Sequence, residues 1–153
     1  MKSQLRNFGT KFSKEQIYLL LFAVIFFLLS LETSAQTSKD IQGTWRMIST
    51  TITNANGDVI AKVDSSTHNL TKVITAGRIM FTSFDRKTGN LQVSGHGKAT
   101  TKGSQYIETF ELSTAQGLLK QPMVFTYKIQ GNKLSYEGGA KDLHIVEVLQ
   151  RLE

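Results

Sequence analysis

The chain has no cysteine among its 153 residues, a single proline (Pro122) and a single tryptophan (Trp45). The missing cysteine excludes a disulfide framework, thiol catalysis, Cys-based zinc sites and a lipid-carrying Cys behind an export signal. With Pro122 the only proline and the glycines falling between short apolar runs, the chain has the spacing expected of an all-β domain. Runs of basic charge are also lacking. Beyond residue 35, Arg86-Lys87 is the only adjacent basic pair, and no basic stripe is interleaved with aromatics. Nucleic-acid binding therefore has no footprint, and the scattered charges read as a solvated surface. Catalytic signatures are equally scarce. His68, His96 and His144 are far apart, without H-x-H or H-E-x-x-H spacing, and there is no G-x-S-x-G. "GHGKATT" fails as a phosphate loop, with Gln92 where its first Gly should be and Ala99 where Ser or Thr should follow the Lys. We expect no enzyme, no metal and no cofactor.

What is present begins with a segment of another kind. "MKSQLRNFGTKFSKEQ" carries Lys2, Arg6, Lys11 and Lys14 against Glu15, then Ile17–Leu31 is a 15-residue apolar run, and "ETSAQ" follows with small residues at Thr33 and Ala35. A basic start, an apolar core and a small-x-small cut site make residues 1–35 an expected secretory signal peptide, cut after Ala35. The alternative is an uncleaved membrane anchor, but a spanning helix wants about 20 apolar residues. Residues 36–153 are then one exported domain, periplasmic or secreted, with no stable membrane span after cleavage. Losing the four basic and two acidic residues before Gln36 lowers the net charge from +6 to +4.

That domain alternates in twos with almost no sign of helix. Strands are expected over Gly43–Thr53, Val59–Val63, 69–75, 78–85, 91–101, 106–113, 122–130, 133–138 and from Leu143 onward. Asn56-Gly57 suits a tight hairpin, and Gly89 the left-handed position of the 85–90 loop. Gly95 and Gly97 inside a strand predict a bulge or sharp bend. Residues 114–121 form the longest irregular stretch, read as a short helical turn or a lid. Eight to nine strands in meander order fit an all-β, up-and-down antiparallel barrel or a sandwich. The barrel is favoured because closure removes exposed edges.

Gly43-Thr44-Trp45 on the first strand resembles the G-x-W signature of the lipocalins and the wider calycin group. "GTWRMIS", "RIMFTSFDRKTG", "YIETFEL" and "EVLQR" together resemble the small lipocalin-like domains exported by Gram-negative bacteria, over roughly residues 41–152. The resemblance implies that Trp45 closes one end of the barrel, with Gly43 beside it and Arg151 of the last strand across the indole. Leu149 stands where the family pattern expects an aromatic.

The candidate ligand wall is Phe81, Tyr106, Glu108, Phe125, Tyr127 and Tyr136. Tyr106, Glu108, Phe110 and Leu112 share one strand face by period two. If that face is inward, Glu108 is a buried carboxylate that must be paired or protonated. Arg78, Glu147 and Arg151 are its candidate partners, and the alternatives are a solvent-facing Glu108 or a purely structural ion pair. The expected function is binding of a small, largely apolar molecule inside the barrel. The second reading is a non-enzymatic interaction or inhibitor module with a filled barrel, its protein partner unknown.

Overall fold

The structure, a computed structural model, describes residues 39–153. The expected signal peptide and its cut site lie outside the described residues. Nine strands follow one another: β1 (Gly43–Asn54), β2 (Val59–Asp64), β3 (His68–Ile74), β4 (Arg78–Asp85), β5 (Leu91–Lys102), β6 (Gln105–Ser113), β7 (Pro122–Gln130), β8 (Lys133–Ala140) and β9 (Leu143–Arg151). A single-turn 3-10 helix, Gln116–Leu118, interrupts the series between β6 and β7. Every pairing among the strands is antiparallel. β3 to β9 form a meander, and β9 returns to pair with β1 from Trp45 opposite Arg151 to Asn54 opposite Leu143. That last pairing closes an eight-stranded barrel and rules out the sandwich.

The ninth strand is an extension of the same wall. β2 and β3 share one edge of β1, β3 along Gly43–Arg46 and β2 along Ser49–Thr53. Between them the chain turns at Asp64, whose Oδ1 accepts from the Ser66 amide (2.8 Å) and the Thr67 amide (3.2 Å). Such a local side-chain turn lets the chain step aside without breaking the edge.

Two bulges decide which side chains enter the lumen. In β1 the register shifts between Met47 and Ser49, so Trp45 and Met47 point inward and the alternation restarts at Thr50. In β6, His96 opposes Leu112 but Gly97 opposes Phe110, which leaves Glu111 as the extra residue. A one-residue slip reverses the faces of everything beyond it. Leu112, expected inward with Phe110, is therefore on the outer wall and 62% exposed. The bend anticipated at Gly95 and Gly97 has a steric cause. A Cβ at Gly97 would lie 2.1 Å from the Thr109 carbonyl oxygen, so β5 and β6 approach this closely only because Gly97 has no side chain.

The core fills one half of the barrel. Ile41, Trp45, Met47, Ile74, Ile79, Ala99, Tyr106, Tyr127, Leu134 and Leu149 are all buried there. Trp45 is fully buried and donates its indole N–H to the Ile41 carbonyl at 2.9 Å. The Arg151 guanidinium lies 4.1 Å from the Trp45 ring centroid and donates to the Gln42 carbonyl (2.5 Å) and the Asp40 carbonyl. Gly43 makes room for it, since a Cβ there would sit 2.5 Å from Arg151 Nη1. The geometry expected of Gly43, Trp45 and Arg151 is thus present: the cation covers the indole and ties the incoming chain to the last strand. Leu149, fully buried, packs where an aromatic was expected.

Candidate ligand site in the barrel lumen

The other half of the barrel is hollow. A cavity of about 320 Å³ is walled by Leu70, Phe81, Phe110, Met123 and Phe125, and reaches Ile52, Leu143 and Ile145 toward the end away from Trp45. Ala115 and Leu118, from the irregular 114–121 segment, line that end. Leu118 packs on the core and Leu119 bridges to Phe110. The expected short helical turn therefore exists and covers part of the cavity.

The floor of the cavity is polar. Along each strand that crosses it, the lining starts at a defined residue: Thr50 after Met47 on β1, Lys72 before Ile74 on β3, Glu108 after Tyr106 on β6, Tyr136 after Leu134 on β8 and Glu147 before Leu149 on β9. These five residues meet. Lys72 reaches from β3 across the lumen, and its ammonium donates to Glu108 Oε1 at 3.2 Å, to Glu147 Oε2 at 2.9 Å and to the Tyr136 hydroxyl. Thr50 Oγ1 donates to Glu147 Oε1 at 2.9 Å. Lys72, Glu108 and Glu147 are 5%, 2% and 4% exposed, so the ion pairs are shielded from solvent.

Charges this deep are tolerable only when each is matched. Burial alone would pull the Lys72 ammonium down, but the charges of Glu108 and Glu147 outweigh it and hold Lys72 above the ordinary lysine value of 10.5. Burial pushes the Glu108 carboxyl above its ordinary 4.5; Lys72 opposes that and the Glu147 charge adds to it. Tyr106, beneath Glu108, is pushed well above its ordinary 10.0 by burial and by the Glu108 charge. A lysine held cationic in this way is no free amine nucleophile at neutral pH.

The expected wall residues divide accordingly. Phe81, Glu108, Phe125 and Tyr136 line the cavity. Tyr106 and Tyr127 do not: both are buried among the aromatics below the floor, with ring centroids 6.5 Å apart. The reason is depth along the strand, since both point inward but toward the filled half. Phe81 meets Phe110 edge to face at 5.2 Å, and Phe125 meets Tyr136 at 4.7 Å, so the cavity wall is built from interlocked rings. Glu108 does face inward. Its partner is none of the three expected: Arg78 pairs with Glu111 outside the barrel, Arg151 lies on Trp45, and Glu147 is a second carboxylate. The partner is Lys72. The sequence carried a signal for it, because Leu70, Lys72 and Ile74 share a face by period two and that face is buried. Thr50 was hidden by the bulge in β1.

A second concavity, about 390 Å³, is a furrow on the outer wall over Met80, His96 and Leu112. It is open to solvent and holds no buried polar group, so the interior cavity is the better candidate. His68, His96 and His144 sit on β3, β5 and β9 and are not brought together. Among the described residues no helix is long and apolar enough to cross a membrane.

The fold and the lumen together define a class: a closed, antiparallel, all-β barrel consistent with a lipocalin-like fold. Comparison with family models, curated protein sequences and solved structures gives no significant match.

Proposed function

We propose that this protein is an exported, calycin-type barrel that carries a small, largely apolar molecule in its lumen and catalyses no reaction. The observation that supports this reading is the cavity itself, about 320 Å³, with apolar walls and a few convergent polar groups at one end. An engineered apolar cavity of about 150 Å³ takes benzene, with its six heavy atoms. By that ratio, this cavity accommodates a molecule of about a dozen non-hydrogen atoms. The floor residues Glu108 and Tyr136 would meet its polar end, and Phe81 and Phe125 its apolar body. Signal-peptide cleavage after Ala35 would deliver the barrel to the periplasm or the medium.

The test is native mass spectrometry of the protein purified from its own host. A co-purifying small mass, lost on denaturation, supports the carrier. The second reading, an interaction module, is favoured by the outer row of Met80 and Leu112, 55% and 62% exposed. A bare chain mass that stays bare after incubation with small apolar molecules would move the assignment there.

A further inference from the structure

The polar floor has a definite hydrogen-bonding character. An ammonium has three N–H donors, and Lys72 directs one each at Glu108, Glu147 and the Tyr136 hydroxyl. The Thr50 hydroxyl has one, directed at Glu147. All four of these donors are committed inside the cluster. Two carboxylates together present about eight lone-pair sites; the three bonds from Lys72 and Thr50, with the Tyr106 hydroxyl offered to Glu108 from beneath, leave about half of them. The charge count leans the same way, with two carboxylates against one ammonium. Apart from the Tyr136 O–H, which accepts from Lys72 and keeps its own proton to donate, the floor offers acceptors, and it carries an uncompensated negative charge when both carboxylates are ionised.

We propose that the barrel selects a small apolar amine, its ammonium seated on the Glu108 side of the floor and its hydrocarbon body between Phe81, Phe110 and Phe125. This inference rests on the carrier function proposed above and names the chemical class of what is carried. A cationic donor completes the cluster to charge neutrality and uses the acceptor sites left over. A ligand with a carboxylate head meets the opposite situation. It would bring a third carboxylate beside two, with only the Tyr136 O–H to donate to it unless Lys72 turns from Tyr136, Glu108 or Glu147. In a site this shielded, an unmatched charge is strongly disfavoured. An alcohol fits the volume but leaves the extra negative charge unmatched.

Three probes of one chain length separate these cases: nonylamine, nonan-1-ol and nonanoate, titrated calorimetrically at pH 7.5 into the protein purified from its host. The amine is expected to bind at least tenfold tighter than the alcohol, with nonanoate weakest. Glu108→Gln is expected to shrink the amine-to-alcohol ratio to within about threefold. Glu111→Gln removes a like charge from the outer wall and keeps the ratio, and circular dichroism verifies that both variants are folded. Should Glu108→Gln not fold, the wild-type ranking decides alone. Equal binding of amine and alcohol, or tightest binding of nonanoate, would overturn the amine assignment and leave the carrier function standing. Failure of all three probes to bind protein whose native mass is bare would overturn the carrier function and the amine assignment with it.

Discussion

Replacing Lys72 by Met keeps an unbranched side chain one heavy atom shorter and removes the charge with its three donors. The structure makes the consequence calculable to order of magnitude. Glu108 and Glu147 lose the cation at 3.2 and 2.9 Å that matches them, and Tyr136 loses its donor. Removing one member of a buried ion pair costs about 3–5 kcal/mol, because the other is left unmatched. Against a total stability of about 5–15 kcal/mol for a single domain, that is a large share. With a urea slope of about 2 kcal/mol/M, the unfolding midpoint should fall by roughly 1.5–2.5 M at pH 8. The loss must depend on pH with a definite sign. Glu108 already has a folded-state pKa above its unfolded 4.5 with Lys72 present, and deleting the cation raises it further. A group raised on folding contributes stability that is complete below its unfolded value and is lost as pH rises through its folded value. The variant should therefore be closest to wild type near pH 4.5 and fall behind as pH increases. Replacing Glu108 and Glu147 by Met as well removes the unmatched charges and should recover at least half of the loss, as buried ion clusters exchanged for apolar side chains do. Urea titrations followed by circular dichroism at pH 5 and pH 8 read all of this. A Lys72→Met variant within about 1 kcal/mol of wild type at both pH values would refute the buried, ionised cluster.

Other perturbations test other parts of the account. Because Lys72 is raised above 10.5 on folding, its contribution is complete below pH 10.5 and lost above it. Urea midpoints of wild type should drop beyond that pH, and those of the triple Met variant should drop less. Gly97→Ala pushes a Cβ to within 2.1 Å of the Thr109 carbonyl oxygen. It should destabilise by about 1–3 kcal/mol as β5 and β6 are forced apart, measured by thermal unfolding. Arg151→Ala removes the cation 4.1 Å from the Trp45 centroid and the donors to Asp40 and Gln42. A loss of about 1–3 kcal/mol is expected from the stacking and hydrogen-bond contributions together, read from the urea midpoint. For binding, nonylamine affinity should weaken as pH falls from 7.5 toward 4.5, since protonation of Glu108 removes the extra charge. Calorimetry at three pH values checks it.

The strands were legible because each carries its alternation locally. Met123, Phe125 and Tyr127 on β7 and Leu134 and Tyr136 on β8 point inward as period two requires. The turn glycines Gly57 and Gly89 take positive φ angles where the hairpins need them. Closure of the sheet was legible only as a preference over the sandwich, since the β1–β9 pairing spans about a hundred residues and leaves no local mark. Bulges were the main loss. The extra residue in β6 turned Leu112 outward, and the shift in β1 put Thr50 and Ile52 into the lumen in place of Ser49 and Thr51. Of the site, Glu108 is visible in the sequence as a carboxylate on an apolar face, but the partners that the sequence suggests for it, Arg78, Glu147 and Arg151, do not include Lys72. Lys72 reaches it across the barrel, a contact between strands that are not neighbours. Tyr106 and Tyr127 were right in direction and wrong in depth. Alternation along a strand gives the face of a side chain, and only the packed barrel shows whether it sits above the floor or beneath it.

The central claim is that half of this barrel is an apolar cavity standing on a buried ionic floor. The most direct measurement is a crystal structure of the protein under xenon pressure. The account predicts xenon density between Phe81, Phe110, Phe125 and Leu118, above Lys72 with both of its carboxylate contacts intact. A lumen closed by those rings, with no xenon bound and Lys72 turned away from Glu108, would contradict it.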